Sequence, residues 1–253
     1  LEKRTTRKRP GTIALAAAVK YKYNVNVVPH ILCGGFSKEE TENALIEMNF
    51  LGINDVLALR GDPPKGSRVF LPDPGGHKNT NDLVQQIADM NRGHYLDPDL
   101  KNTAPTSFCI GVAGYPEKHF EAPNLRSDMV NLKLKVDAGA CYIVTQMFFD
   151  NEKFYAFRDA LRAMGVTVPL IPGIKPVSAM TDVNLLPQTF HIDMPEELVH
   201  ELSKCRSDDE AREVGIEWAT AQSRDLLKNE VPGIHYYTLG RSDNIARIVK
   251  ASF

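Results

Sequence analysis

The sequence lacks the features that mark membrane-spanning, exported and nucleic-acid-binding proteins. None of its apolar runs approaches the roughly 20 residues that a membrane span requires, and no signal-peptide core follows the basic start. The formal net charge is -2 with 25% charged residues, so no overall field attracts nucleic acid or an anionic membrane surface. We therefore expect a cytoplasmic protein with no nucleic-acid and no membrane partner.

Cysteine is scarce, and no two cysteines are close in sequence. The four cysteines, at positions 33, 109, 141 and 205, form no CxxC pair, and three of them lie within apolar runs. In such runs cysteine behaves as a small hydrophobic residue. We expect reduced thiols rather than a disulfide framework.

Several nucleotide and metal motifs are also missing. The chain contains no GxGxxG, no Walker A motif, no HExxH and no internal repeat. An open doubly wound sheet, which is the alternative α/β architecture, usually binds its nucleotide at a glycine-rich first turn. The missing turn therefore disfavours that fold.

What the chain does contain is an alternation of strand-like and helical patterns, which indicates βαβ units and a parallel sheet. Ser37 with Glu40 three residues later forms a capping box and marks one helix start clearly. Strands are predicted over 26–33, 55–61, 107–116, 142–149, 168–176 and 233–240. Helices are predicted over 12–23, 37–52, 80–93, 125–138, 152–164, 195–204, 208–229 and from residue 243 onward.

The fold that accommodates this alternation is a (β/α)8 TIM-type barrel. The 253 residues, 43% of them apolar, show no composition break, so we predict a single catalytic domain over 1–253. A barrel of this class has eight strands, whereas six are visible and the sequence begins on a helix. We expect that the first two strands are absent from this sequence.

The first nine residues, LEKRTTRKR, are strongly basic. Such a segment resembles a localisation signal or a phosphate-contacting tag, and it is also typical of a solvated connector ahead of a helix. We favour the connector.

In a barrel of this type the functional residues lie at the carboxyl ends of the strands. In DVLALRGDPP, side-chain alternation places Val56, Ala58, Arg60 and Asp62 on one face, so Arg60 and Asp62 rise into the barrel mouth. Gly61 would let a flat ligand approach the backbone. The alternative is a surface ion pair closed by a turn.

The next strand end has small residues leading up to an aromatic residue. Cys109, Gly111 and Ala113 share one face below Tyr115, and His119 follows in the loop. This pattern leaves space for a ligand in the mouth, although a histidine in such a loop is often only a hydrogen-bonding residue.

Asp128, Asn131 and Lys135 form one polar stripe on the following helix, at i, i+3 and i+7. Since that helix begins at the mouth of the barrel, the stripe suits a ribose or a phosphate, and a solvated face is the alternative.

Gln146 places an uncharged amide in an apolar strand, where a buried amide needs partners from a neighbour or a ligand.

The remaining strand ends offer His30, Tyr236, Tyr237 and Arg241. Together the strand ends are rich in cationic, amide and aromatic groups and poor in carboxylates. This set suits a large, planar, anionic ligand better than a metal, so we predict no metal site. A phosphate-binding aldolase-type barrel would need a Schiff-base lysine at a strand end, and Lys175 is the only candidate.

The sequence resembles the catalytic domain of the methylenetetrahydrofolate reductases, which are FAD-containing (β/α) barrel enzymes of one-carbon metabolism. The resemblance extends over nearly the whole chain from about residue 10. Seven segments carry it in order: PHILC, LGINDVLALRGDPP, AGYPEKHFEAP, DMVNLKLKVDAGACYIVTQMFFD, PLIPGIKPV, VGIEWATAQSRDLL and GIHYYTLGR.

The resemblance implies a two-stage hydride transfer. NADH or NADPH would reduce FAD and leave, and 5,10-methylenetetrahydrofolate would then bind and take the hydride to become 5-methyltetrahydrofolate, a step toward methionine. We expect the protein to be a homo-oligomer.

The resemblance also implies roles for individual residues. Asp62 and Gln146 would be catalytic, with Asp62 stabilising the cationic form of the folate that accepts hydride and Gln146 serving folate and nicotinamide in turn. Tyr237 and Arg241 would lie beside the substrate. The implied FAD contacts are His30, Arg60, Gly61, Asp62, Tyr115, His119, Ala122, Asp128, Asn131 and Lys135.

The chain departs from the family pattern at several positions. Family members usually open with a strand of the FEFFPP kind, whose Glu is the proposed general acid, and this sequence does not contain it. That departure keeps open a flavin- or folate-binding barrel without turnover. Asn79 and Asp182 replace residues that contact ligands in some members, and Leu134 replaces an arginine found in some bacterial members.

Overall fold

A computed structural model describes residues 10–63 and 69–253 of the chain. Strands alternate with helices, the strand order follows the chain order, and the paired strands are parallel. This confirms the predicted α/β fold of the TIM-barrel type. The basic segment 1–9, for which a connector was predicted, lies outside the described residues.

The described residues form six strands and nine helices. The strands are β1 (His30–Leu32), β2 (Asp55–Leu59), β3 (Cys109–Gly114), β4 (Tyr142–Met147), β5 (Leu170–Ile174) and β6 (His235–Tyr236). The helices are α1 (Thr12–Tyr23), α2 (Lys38–Phe50), α3 (Thr80–Asn91), α4 (Leu125–Asp137), α5 (Asn151–Ala163), α6 (Asp182–Phe190), α7 (Glu196–Ser203), α8 (Asp208–Lys228) and α9 (Asp243–Ser252). None of these helices is long and apolar enough to cross a membrane.

Contacts among the described residues define two compact units, one of residues 10–63, 69–112 and 137–141 and the other of residues 113–136 and 142–253. In the first unit, β1 pairs with β2, where His30 faces Leu57, and β2 pairs with β3, where Asp55 faces Cys109. Parallel pairing in this register brings the carboxyl ends of neighbouring strands to one edge.

The first unit shows clearly how local sequence sets a helix start. The Ser37 hydroxyl accepts a hydrogen bond from the Glu40 amide at 3.1 Å, and the Glu40 carboxylate accepts one from the Ser37 amide at 2.7 Å. This confirms the predicted capping box, which satisfies two of the amide groups that a helix start leaves unpaired. From this start, α2 directs Leu45 and Met48 into the core, where both are fully buried.

The second unit contains a helix that the sequence patterns did not predict. α6 (Asp182–Phe190) includes Pro187, which lacks an amide donor and normally disfavours a helix interior. The helix is stable here because its side chain Leu186 joins a buried cluster with Val177 and Leu198. Tertiary packing therefore outweighs the local cost of the proline.

All six strands are shorter than predicted, and β1 and β6 differ most from the prediction. β1 was predicted over 26–33 but pairs only from His30 to Leu32, because Pro29 has no amide hydrogen with which to extend the ladder. His30 was predicted to lie at the carboxyl end of its strand. This was wrong, because His30 is the first residue of β1. β6 is likewise limited to His235–Tyr236.

Helix α8 approaches another segment of its unit very closely at Gly215. A Cβ atom placed on Gly215 would lie 2.2 Å from the carbonyl oxygen of Val177. Since that contact is with backbone, it cannot be relieved by a side-chain rotation.

We expect Gly215→Ala to lower the free energy of unfolding by about 1–3 kcal/mol, because the methyl group forces α8 away from Val177. Helix propensity alone would predict that the same change raises the free energy of unfolding by about 1 kcal/mol. Gly233→Ala is the matched control, since nothing lies within 4 Å of its added Cβ. Urea unfolding measures both, and an unchanged or higher stability of Gly215→Ala would contradict the close approach.

Candidate functional site

The loop after β3 carries three of the predicted cofactor residues and is held in an uncommon backbone conformation. Lys118 has φ 92°, a value that side-chain-bearing residues seldom adopt. Its amide donates to the Tyr115 carbonyl at 3.2 Å, and its Nζ donates to the Ala122 carbonyl at 2.8 Å. The turn between Tyr115 and Ala122 is thus fixed by bonds at both ends.

His119 is positioned within this loop by its backbone and its ring. The His119 amide donates to Oδ2 of Asp128 at 2.8 Å, and Nδ1 of the ring accepts from the Glu121 amide at 3.2 Å. The ring also packs against Tyr115, with centroids 4.8 Å apart, and Phe120, with centroids 4.7 Å apart. Because Nδ1 accepts a hydrogen bond, the proton of a neutral His119 lies on Nε2.

The predicted polar stripe is confirmed as one face of α4, and its residues differ in exposure. Asp128 is half-buried and holds the His119 amide, whereas Asn131 is exposed. Lys135 is half-buried, with Nζ 3.4 Å from the Ala113 carbonyl at the end of β3. The β3–α4 segment therefore carries these residues together with the loop that contains Tyr115, His119 and Ala122.

Glu117 is a residue of this loop that sequence reasoning missed. Its Oε2 accepts from the Asp193 amide at 2.6 Å and lies 3.3 Å from Nζ of Lys153. Burial raises the pKa of the Glu117 carboxyl, against the opposing effects of the Asp193 amide and the Lys153 ammonium. Glu117 therefore connects the loop to α5 and to the segment after α6. Its position in the sequence between Tyr115 and His119 is the only feature from which this role could have been predicted.

Gln146 lies at an irregularity of β4. The pairing of Val144 with Ile171 and of Met147 with Gly173 leaves one more residue in β4 than in β5. Such a bulge turns a side chain out of the regular alternation. Oε1 of Gln146 accepts from the amide of the next residue at 2.9 Å, so the half-buried amide that needed a partner takes one from its own strand.

Tyr237 follows β6 and is tied to the same part of β4. Its hydroxyl donates to the Thr145 carbonyl at 2.9 Å, and its amide donates to the Ile174 carbonyl at 2.9 Å. Burial raises the pKa of Tyr237 to about 12. The phenol is therefore neutral near neutral pH, and its bond to the Thr145 carbonyl fixes the ring in place.

Tyr237 and Arg241, two of the four predicted substrate residues, line one cavity of about 410 Å³ in the second unit, whereas Asp62 and Gln146 are not among its lining residues. The cavity lies beyond the ends of β5 and β6. Lys175 and Asp182, which are buried, form part of its wall. The structure thus brings these two residues to one cavity, and it adds the Lys175–Asp182 ion pair, which the sequence did not predict.

The first unit holds the other four predicted cofactor residues. β2 ends at Leu59, and Gly61 has φ 87°, so the side-chain alternation assumed for Asp62 does not extend that far. The Arg60 guanidinium lies 5.2 Å from the ring centroid of Phe70, and Asp62 is exposed. His30 is exposed at the start of β1, and its pKa is lowered by loss of hydration around the ring.

Gly61 is required for its backbone conformation. A φ of 87° is strained for any residue with a side chain, whereas a Cβ there would meet nothing closer than 3.9 Å. Across residues 10–63 and 69–253, no group of three or more His, Cys, Asp and Glu side chains could hold a metal ion.

Comparison with known proteins identifies the family. A family model described as methylenetetrahydrofolate reductase matches residues 3–252. This chain belongs to the methylenetetrahydrofolate reductase family. The resemblance that the seven sequence segments indicate is therefore confirmed.

Relatives in the methylenetetrahydrofolate reductase family come from eukaryotes and bacteria. Methylenetetrahydrofolate reductase 1 of Schizosaccharomyces pombe is 32% identical over 94% of this chain and 38% of its own length. Methylenetetrahydrofolate reductase (NADH) 1 of Arabidopsis thaliana is 35% identical over 90% of this chain and 38% of its own length. The 5,10-methylenetetrahydrofolate reductase of Salmonella typhimurium is 31% identical over 93% of this chain and 73% of its own length. The chain thus spans less than half of these eukaryotic relatives.

Solved structures agree on the fold at much lower identity. An uncharacterized protein from Clostridium thermocellum that binds two copies of 5-methyl-5,6,7,8-tetrahydrofolic acid has a TM-score of 0.51 and 14% identity, over 93% of this chain and 76% of that one. An oxaloacetate acetylhydrolase has a TM-score of 0.50 and 11% identity, over 94% and 63%. At such identities the likeness concerns the fold alone.

We expect Asp128→Ala to loosen the loop of Tyr115 to Ala122, because the His119 amide loses its acceptor. Hydrogen exchange of the His119 amide should accelerate by roughly 10-fold, which corresponds to a net hydrogen bond of about 1.4 kcal/mol. Asp128→Asn keeps an oxygen acceptor and should change exchange much less. Asn131→Ala, on the same helix face, is the control, and equal acceleration in all three variants would show that the bond does not hold the loop.

Proposed function

We propose that this chain catalyses the FAD-dependent reduction of 5,10-methylenetetrahydrofolate to 5-methyltetrahydrofolate by NADH or NADPH, within one-carbon and methionine metabolism. Family membership over residues 3–252 supports the reaction class. Relatives named for NADH and for NADPH both occur, which supports a nicotinamide dinucleotide as the electron donor.

The observation that carries the proposal is the β3–α4 segment. A dinucleotide cofactor needs aromatic surface for its ring, hydrogen-bonding groups for its ribose and positive charge for its phosphates. Tyr115 and His119 supply rings in contact, Asp128 and Asn131 supply polar groups, and Lys135 supplies the cation. The donor set therefore fits FAD, with Ala122 at the end of the same turn.

FAD, when bound, supplies the group that takes a hydride from the nicotinamide and later delivers it to the folate. Arg60 and Gly61 would help to orient it, because the Arg60 cation is held over Phe70 and Gly61 leaves its backbone open. His30 would contribute a further contact. We infer two successive half-reactions, since one cofactor face must meet two different partners.

The chain's own residues then act on the folate by charge and by orientation. The exposed Asp62 carboxylate would stabilise the positive charge of the folate iminium that accepts the hydride, an electrostatic effect that is often the largest single contribution to catalysis. Gln146 would orient folate and nicotinamide in turn through its amide nitrogen, while its oxygen stays bonded to the backbone. Tyr237 and Arg241 would hold the substrate at the cavity wall.

The visible absorption spectrum of the purified full-length protein, followed without oxygen, tests the proposal directly. We expect flavin bands that bleach when NADPH or NADH is added and return when methylenetetrahydrofolate follows. A protein that is colourless and takes up no added FAD would overturn the flavoenzyme assignment. Flavin that bleaches but is never reoxidised by the folate would indicate a binding barrel without turnover.

We expect Asp62→Asn to slow the folate half-reaction by roughly 100-fold while changing the nicotinamide half-reaction much less, because the folate must form its cationic iminium before it accepts hydride, whereas the dihydronicotinamide ring is neutral when it binds. Stopped-flow absorbance separates the two rates. Asp99→Asn, which removes another exposed carboxylate of the first unit, is the matched control. Equal losses in both half-reactions would contradict the role assigned to Asp62.

A further inference from the structure

Lys175 is a buried cation whose role the proposed reaction leaves unexplained. It follows β5 directly and has a side chain only 6% exposed. Its Nζ lies 3.6 Å from Oδ2 of Asp182 and 3.3 Å from the carbonyl oxygen of Pro176. Charge-assisted bonds from an ammonium to a carboxylate are normally about 2.7–2.9 Å, so both contacts of Lys175 are long.

Asp182 is bonded more closely to Ser178 than to Lys175. Its Oδ2 accepts from the Ser178 amide at 2.8 Å and from the Ser178 hydroxyl at 3.0 Å. The carboxylate is therefore held by Ser178, which lies four residues before it, and acts on Lys175 mainly as a nearby countercharge. An ammonium has three donors, and these long contacts use them weakly.

The Lys175 side chain forms part of the wall of the 410 Å³ cavity that Tyr237 and Arg241 also line. Among the residues of that wall, the charged ones are Lys175, Asp182 and Arg241, so the cavity has one excess positive charge. Apolar side chains such as Leu186 and Phe190 complete the wall and lower the local dielectric. An anionic group that enters this space would contact a partly desolvated ammonium whose N–H donors are only weakly used by Asp182 and Pro176.

A Schiff-base role for Lys175 does not suit this arrangement. As the ammonium partner of Asp182, Nζ has no lone pair with which to attack a carbonyl group. A purely structural ion pair also explains the geometry poorly, because such a pair is stabilising only when its bonds are short and its remaining groups are satisfied. The long contacts of Lys175 favour a ligand that completes them.

We propose that Lys175 binds an oxyanion of the substrate, a carboxylate or a phosphate, within this cavity, and that Asp182 neutralises the lysine when the cavity holds no anion. The proposal rests on the proposed function, since the reductase substrates carry both kinds of group. Folate has the carboxylates of its glutamate, and the nicotinamide dinucleotides have phosphates. Lys175 is thus a specificity-determining residue that acts together with Arg241.

The test measures dissociation constants of the FAD-loaded protein for 5-methyltetrahydrofolate and for NADP⁺ by titration calorimetry. We compare the natural chain with Asp182→Asn and with the double variant Lys175→Met, Asp182→Asn. The double variant avoids leaving the Asp182 carboxylate buried and unpaired, which would destabilise the protein by itself. Lys204→Met, at an exposed pair with Glu201, is the matched control for loss of a lysine.

The two variants are expected to change affinity in opposite directions. Asp182→Asn should tighten binding of the anion by up to about 10-fold, because the lysine loses its countercharge. The double variant should weaken binding by about 10- to 100-fold, because the charged donor is gone. If the Lys175–Asp182 pair is only structural, Asp182→Asn will bind the anion no more tightly than the natural chain does. That result would overturn the proposal.

The choice of probe distinguishes the two oxyanions. Weakened binding of 5-methyltetrahydrofolate, with no change for the analogue 5-methyltetrahydropteroate that lacks glutamate, assigns the lysine to a carboxylate. Weakened binding of NADP⁺ alone assigns it to a phosphate. If the natural chain binds both probes and neither affinity changes in the variants, only the lysine assignment fails, whereas a natural chain that binds neither probe refutes the proposed function itself.

Discussion

Parallel strand pairing is the constraint on which the other features depend. A parallel connection must return to the starting edge, so each strand is followed by a crossover, usually helical, and within each unit neighbouring strands end at a common edge. Polar residues that are distant in sequence are thereby collected at loops. Tyr237 after β6 and Lys175 after β5 reach one cavity for this reason, although about 60 residues separate them in the chain.

The polar residues at these loops hold backbone as well as offering side chains. Asp128 accepts the His119 amide, Glu117 accepts the Asp193 amide, and Gln146 accepts the amide of Met147. Each bond satisfies a backbone donor and at the same time limits where the side chain can point. A site built in this way is oriented before a ligand arrives, which reduces the ordering that binding requires.

Charge is distributed differently in the two parts of the candidate site. On the β3–α4 segment, Asp128 and Lys135 lie on one helix face at partly exposed positions, where solvent moderates their fields. In the cavity beyond β5 and β6, Lys175 and Asp182 are both more than nine-tenths buried, so their charges act at close range with little screening. A single substitution in the cavity should therefore influence ligand affinity more than one on the helix face.

The sequence alone determined the fold class, the start of α2 and the polar stripe of α4, because these follow from periodicity and capping within short segments. The sequence also identified the family, through segments such as LRGD and YPEKH. Only the tertiary structure decided that α6 forms despite Pro187, that His30 begins β1, that Glu117 bonds to Asp193 and that Lys175 faces Asp182. These features depend on partners remote in the chain or on burial that outweighs a local preference, and neither can be read from neighbouring residues.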